Sequence, residues 1–162
     1  MKTLLVLRHA KSSWKDDNLP DRERPLNKRG QEDAPKMGEL LRRQNVIPDL
    51  VLSSTAQRAR STAELATDAC GYEGQVEYKD ELYSFEAEPY LNALSRLAEA
   101  YQCVMIVGHN PAMEELVEAL TGEYLPMPTA ALAQIELPIE HWSDLANRRS
   151  GKLVNLWRPK EV

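Results

Sequence analysis

The chain has 162 residues, 43% of them hydrophobic and 28% charged, with a formal net charge of −5; this suits one globular domain with a real core. That balance excludes wholesale nucleic-acid binding, whose usual footprint is a basic stripe. No apolar run approaches the roughly 20 residues that cross a bilayer.

The N-terminal stretch lacks a signal-peptide pattern, since Lys2 is followed by only a short apolar run before Arg8. The two cysteines, Cys70 and Cys103, are spaced for neither a zinc pair nor a redox motif. They read as reduced thiols, Cys103 in a core strand, in a cytoplasmic protein that binds no membrane.

In chain order, Leu4–Leu7 is the first apolar run and reads as a buried strand. Gln31–Arg43 follows as an amphipathic helix, with Pro35 marking an early turn or a kink. Leu50–Leu52 is a second buried strand. It leads into a helix over Ala56–Ala69 with Thr55 as N-cap. Pro89–Tyr101 carries Leu91, Leu94, Leu97 and Ala98 at helical spacing. Val104–Val107 is a third buried strand, and Ala112–Leu120 a fourth helix between Pro111 and Gly122. Ala131–Leu137 and Lys152–Trp157 read as later strands towards an edge, with a short helix over Glu140–Leu145 between them. Strand and helix alternate without a linker or a repeat. The expectation is one α/β domain over residues 1–162, a three-layer αβα sandwich with a mostly parallel sheet and helices on both faces.

In such sheets ligands bind beyond the carboxyl ends of the strands. The first run ends in Arg8-His9, the second in Ser53-Ser54-Thr55 ahead of Arg58 and Arg60, and the third in Gly108-His109-Asn110. If these ends adjoin, two histidines and two arginines converge. Guanidinium forks and imidazoles bind phosphate oxygens, and a serine-rich turn at a helix start adds N–H donors. A histidine among cations loses affinity for its proton, and the neutral ring is a nucleophile. The residues point to a phosphoryl pocket. A metal site is disfavoured because the arginines repel a cation and neither histidine has an adjacent carboxylate. His141 takes no catalytic part. Trp14 either lines the pocket rim or packs inside.

The segments "LVLRHAKS", "LSSTAQRARSTAEL" and "VMIVGHN" resemble, in order, the core motifs of the histidine phosphatase superfamily, the phosphoglycerate mutase-like fold. "RPLNKRGQEDAPKMGELL" and "DELYSFEAE" narrow the resemblance to phosphohistidine phosphatases of the SixA type. The resemblance implies that His9 is the nucleophile, with Arg8, Arg58 and His109 holding the phosphoryl group and Arg24 adding a cation at the rim. Arg60, about 200° around the helix from Arg58, faces elsewhere. The sequence departs from the family in two places. Ala10 stands where glycine is common, which would strain a positive-φ turn. Ser84 stands where many relatives place an acidic proton donor, leaving Glu81 and Glu86 as weak candidates. The implied enzyme needs no metal or cofactor, accepts phosphate-like oxyanions, and dephosphorylates phosphohistidine on a partner protein. A phosphatase or mutase of small phosphate esters is one alternative, and a non-catalytic phosphoprotein-binding module is another.

Overall fold

A computed structural model describes residues 1–147 and 149–162. Its six strands are β1 (Lys2–Arg8), β2 (Leu50–Ser54), β3 (Glu77–Lys79), β4 (Cys103–Gly108), β5 (Leu132–Leu137) and β6 (Lys152–Trp157). The helices are α1 (Lys28–Arg43), α2 (Gln57–Cys70), α3 (Glu88–Ser95) and α4 (Ala112–Thr121). The strands form one sheet in the order β3-β2-β4-β1-β5-β6. The first four are parallel; β5 pairs antiparallel with β1, and β6 pairs antiparallel with β5.

Both faces of the sheet are covered, so the strands read as continuous apolar runs, yet the two-residue period still sorts their side chains. Leu4 and Val6 of β1 and Val104 and Ile106 of β4 enter one core, with residues of α3 and α4. Leu5, Leu7, Met105 and Val107 enter the other, with α1 and α2. Each of these eight side chains is at most 1% exposed, and burying one such side chain is worth about 1.5–3 kcal/mol.

Local chemistry moved several boundaries. The Asn27 side chain accepts from Gly30 N–H and starts α1 three residues early, and the helix runs on through Pro35. Thr55 does not cap α2. The cap position falls at Ala56, without a side-chain cap; Ser54 Oγ accepts from Ala56 N–H, and Thr55 Oγ1 donates to Asp80. The third helix stops at Ser95, short of the expected Tyr101, and tertiary donors satisfy carbonyls further on. Lys2 Nζ donates to Glu99 and Tyr101 carbonyls, and Trp142 Nε1 to Tyr101. Strand β3, with the sequence Glu-Tyr-Lys, has no apolar run to announce it. The segment around Glu140–Leu145 is a 3₁₀ turn over Trp142–Ala146.

The order of strands matters most for function. Strand β4 lies between β2 and β1, with Arg8 opposite Gly108 and Ser53 opposite Val107. The three strand ends are therefore neighbours at one edge of the sheet. Among the described residues, no helix is long and apolar enough to cross a membrane.

Candidate active site

Beyond β1 the chain turns at His9, whose N–H donates to the Gly108 carbonyl (2.9 Å). The ring's Nδ1 lies 2.7 Å from the Ala10 carbonyl. A carbonyl only accepts, so Nδ1 carries the proton and Nε2 keeps its lone pair. Ala10 N–H donates to Thr62 Oγ1 (2.9 Å), and that hydroxyl donates to the Arg58 carbonyl (2.7 Å). One helical turn of α2 thus fixes both the His9 loop and the backbone of Arg58. Ala10 is buried, and among the described non-glycine residues only Asn45 and Ala130 have positive φ. The turn after His9 therefore costs alanine no strain.

His109, at the end of β4, lies beside His9 with ring centroids 5.2 Å apart. Its Nε2 is 2.8 Å from Ser54 Oγ, and its Nδ1 is buried without a partner among the described residues. Gly108 lets this turn pass under Tyr90, whose hydroxyl a Cβ would strike. That hydroxyl accepts from His109 N–H (3.3 Å) and donates to the Leu82 carbonyl (2.5 Å).

Three arginines surround the pair. Arg58, 3% exposed, donates through Nη1 to the Asp21 carbonyl (2.8 Å) and through Nη2 to Asp21 Oδ2 (2.9 Å). Arg24 donates to Asp21 Oδ1 (3.0 Å), the Ser13 carbonyl (3.2 Å) and Ser12 Oγ. Its guanidinium lies 3.3 Å from the centre of the Trp14 ring. Arg8 donates to the Met127 carbonyl (3.0 Å), while its buried Nε has no partner among the described residues. Glu114 holds the loop behind it by accepting from Met127 N–H (2.7 Å) and Asn110 Nδ2 (3.0 Å).

These groups line a cleft of about 250 Å³ that also takes in Lys11, Phe85 and Thr129. Its electrostatics follow from burial among cations. Burial is the largest cause of the fall of His9 from 6.5 to about 3; the bond to Ala10 opposes it, and the charges of Arg58, Arg8 and Arg24 add to it. His109 falls to about 3, first by burial and then by its proximity to His9 and Arg58. Burial also lowers Arg8, against the opposing pull of Glu114. Asp21 is drawn upward by partial burial, but hydrogen bonds from Tyr83, Arg58 and Arg24 hold it at about 2. At neutral pH the cleft presents two uncharged imidazoles, three guanidiniums and one carboxylate.

Arg8, His9, Arg24, Arg58 and His109 all line this cleft. Glu81 does not; it lines a separate groove with Leu50, Glu77 and Arg96. Glu86 is exposed outside the cleft, and Ser84 Oγ accepts its backbone N–H (3.1 Å). Arg60 stacks on Tyr78 (3.9 Å to the ring centre), away from the site. His141 pairs with Glu99 on another surface. Trp14 is a rim residue, 70% exposed. The contributors that sequence reasoning missed are Asp21, Tyr83 and Phe85. Asp21 stands three residues before Arg24 on a 3₁₀ turn, and that i,i+3 acid–base pair was the available signal. Tyr83 and Phe85 each lie 5.5 Å from the His109 ring, centre to centre.

The sequence profile of the histidine phosphatase superfamily (branch 1) matches residues 4–90. An uncharacterized chloroplastic protein of Arabidopsis thaliana is 32% identical over 152 residues, covering 88% of this chain and 70% of the relative. Among solved structures, an Agrobacterium tumefaciens protein assigned as phosphohistidine phosphatase SixA superposes with a TM-score of 0.84 at 33% identity over 98% of both chains. The protein histidine phosphatase SixA complexed with tungstate gives a TM-score of 0.83 at 26% identity, over 98% of this chain and 97% of that one. Shared sequence, shared topology and two imidazoles set among arginines at three adjoining strand ends agree: the chain belongs to the histidine phosphatase superfamily.

Proposed function

We propose that the chain is a phosphohistidine phosphatase, which moves a phosphoryl group from a protein histidine to His9 and then to water without a metal ion. The observation that carries this reading is the His9 ring, neutral and held by Ala10 with its Nε2 lone pair free in a cleft of cations. In the first step Nε2 attacks phosphorus and the P–N bond of the substrate breaks, its electron pair staying on the departing nitrogen. His9 keeps its Nδ1 proton and becomes a phosphorylated imidazolium. Water then attacks phosphorus, the P–Nε2 bond breaks, and the water proton leaves with phosphate or solvent. The ring is returned neutral.

The cations carry most of the acceleration, because phosphoryl transfer asks mainly for positioning and charge stabilisation. Arg58 and Arg24 are braced by Asp21 before substrate arrives. His109 acts as a neutral donor. In this reading the Ser54 hydroxyl, which accepts from Ala56 N–H, gives its own proton to His109 Nε2. The His109 proton then sits on the unpartnered Nδ1, available to a phosphoryl oxygen.

The leaving group follows from the carboxylates. Asp21 is the one carboxylate lining the cleft among the described residues. Held at about 2 and engaged by three donors, it is a poor proton donor. An alkoxide needs such a donor. A phosphoimidazole protonated on its other nitrogen departs as neutral imidazole and needs none. The likeness to SixA structures supports the same substrate class.

The test is a panel of phosphohistidine proteins and phosphate esters, assayed with and without EDTA. The expected result is phosphohistidine hydrolysis, undiminished by EDTA and blocked competitively by tungstate. Ester hydrolysis with phosphohistidine left intact would reassign the enzyme to small metabolites. Tight binding of phosphoprotein without turnover would make it a recognition module.

The loop that carries His9 rests on Gly30. A Cβ there would collide with the Lys11 carbonyl oxygen, which also accepts Asn27 N–H (3.0 Å). Helix propensity alone favours alanine over glycine by about 1 kcal/mol, but here backbone meets backbone and the loop must move. Gly30→Ala is expected to lower kcat/KM by about 10²-fold, the scale of an ångström-sized displacement of a reacting group. Circular dichroism should report unchanged helix content.

A further inference from the structure

Beside the cleft opens a groove of about 530 Å³ that shares Arg8, Lys11 and Thr129 with it. Its walls come from separate parts of the chain: the loop after β1, the first turn of α1, the segment before β5, and the 3₁₀ turn Pro159–Glu161 with Arg158 before it. Five cations, Arg8, Lys11, Arg29, Arg158 and Lys160, line it against one carboxylate, Glu161. Arg29 shares its charge with Asp33 (3.4 Å), and Arg158 shares its own with Glu161 (3.5 Å). Arg8, Lys11 and Lys160 have no ion-pair partner among the described residues. The far wall is braced. Lys36 Nζ donates to the Pro159 carbonyl (2.7 Å), and Arg158 donates twice to the Pro126 carbonyl (3.0 and 3.3 Å).

This surplus runs against the character of the chain, whose net charge is −5. Screening sets in over about 8 Å at physiological salt, so an approaching group feels the local cations and not the distant acids. The cations exceed what one phosphoryl group requires, since the cleft already holds it with Arg8, Arg24 and Arg58. The groove's volume is about twice that of the cleft.

We propose that this groove is a docking track for an acidic segment of the phosphoprotein substrate, which leads from the phosphohistidine in the cleft along Lys11, Arg29 and Lys160; the proposal rests on the phosphatase reading above. The rest of the acidic surface repels such a partner, so charge both attracts it to this face and orients it. A protein partner is favoured over nucleic acid because the group placed in the cleft, phosphohistidine, is a protein side chain, so the segment that enters the groove beside it is polypeptide.

The experiment compares three substrates with the full chain at low and physiological salt: free phosphohistidine, a phosphohistidine peptide flanked by glutamates, and the same peptide flanked by serines. The glutamate peptide is expected to show a kcat/KM about tenfold above the serine peptide at low salt, with the gap narrowing as salt rises. The double variant Arg29→Glu/Lys160→Glu should erase that preference while hydrolysing free phosphohistidine at the parent rate. Equal treatment of the two peptides by the parent, or a preference that survives the double variant, overturns the docking track. A single-stranded oligonucleotide that binds more tightly than the unphosphorylated glutamate peptide would overturn it in favour of nucleic acid. Failure to hydrolyse any phosphohistidine would sink the phosphatase reading alone. Binding of the unphosphorylated glutamate peptide, measured by anisotropy on parent and double variant, tests the groove without turnover.

Discussion

His9→Ala is expected to lower turnover by about 10⁴-fold or more, the scale at which loss of a catalytic nucleophile is felt. The substitution removes the ring nitrogen that carries a free lone pair into the cleft, since the Ala10 carbonyl fixes the proton of His9 on Nδ1. His109 is a poor replacement, because its Nε2 is engaged by Ser54 and its Nδ1 is buried. Binding should survive, since Arg8, Arg24 and Arg58 remain, so kcat falls far more than KM changes. The fold should survive as well, for the ring is tied to the protein mainly by one bond to the adjacent carbonyl.

The same ring sets the pH behaviour. The proposed attack needs it neutral, and its folded-state value is lowered to about 3 from 6.5. The acid limb of kcat/KM contributed by the free enzyme should therefore lie near pH 3. Stability follows the opposite partner. Between pH 6.5 and 3 the unfolded chain takes up protons at His9 and His109 that the folded chain refuses. Folding free energy is lost as pH falls through that window and is retained above it. Urea midpoints measured from pH 7 to pH 4 should decline, and His9→Ala should flatten the decline.

Arg58→Ala should lower kcat by about 10²- to 10³-fold, as expected when one preorganised donor to a developing charge is lost. Arg58 is the most deeply buried of the three arginines, its fork set by two bonds to Asp21 before any substrate binds. Its loss leaves Asp21 facing the cleft with Arg24 and Tyr83 as partners, and the carboxylate then opposes the incoming phosphoryl group. Arg58→Lys should recover only part of the activity, because an ammonium keeps the charge and loses the planar fork. The double variant Arg58→Ala/Asp21→Asn should recover some binding, reported as a lower KM, since the opposing charge is gone. A rate for Arg58→Ala near the parent's would remove that residue from the pocket. Thermal stability should change little, because the Asp21 side chain is 46% exposed and is solvated when its partner leaves.

Much of this site was legible in the sequence because it is built on the ends of buried strands. An apolar run that stops at Arg8-His9, Ser53-Ser54 or Gly108-His109 announces both the strand and what it delivers, and parallel α/β topology brings such ends together. The parts that were not legible depend on loops. Asp21 reaches Arg58 across 37 positions of sequence, and no periodicity encodes that approach. Tyr83 and Phe85 follow an edge strand of three residues, too short and too polar to stand out. Ala10 looked like a source of strain because family likeness speaks of residue types and not of φ; its backbone proved ordinary. Glu81 and Glu86 were close in sequence to the expected position of an acid, yet the 3₁₀ turn Asp80–Leu82 places Glu81 along another groove.

The proposed route is covalent: the phosphoryl group passes through Nε2 of His9. Rapid quenching of a phosphohistidine reaction under alkaline conditions, followed by mass spectrometry and phosphorus NMR, tests it most directly. The expected result is one acid-labile phosphoryl group on His9, attached at Nε2, formed and lost at rates compatible with turnover and absent from His9→Ala. A phosphoryl group on another residue, or turnover that continues in His9→Ala, would contradict it.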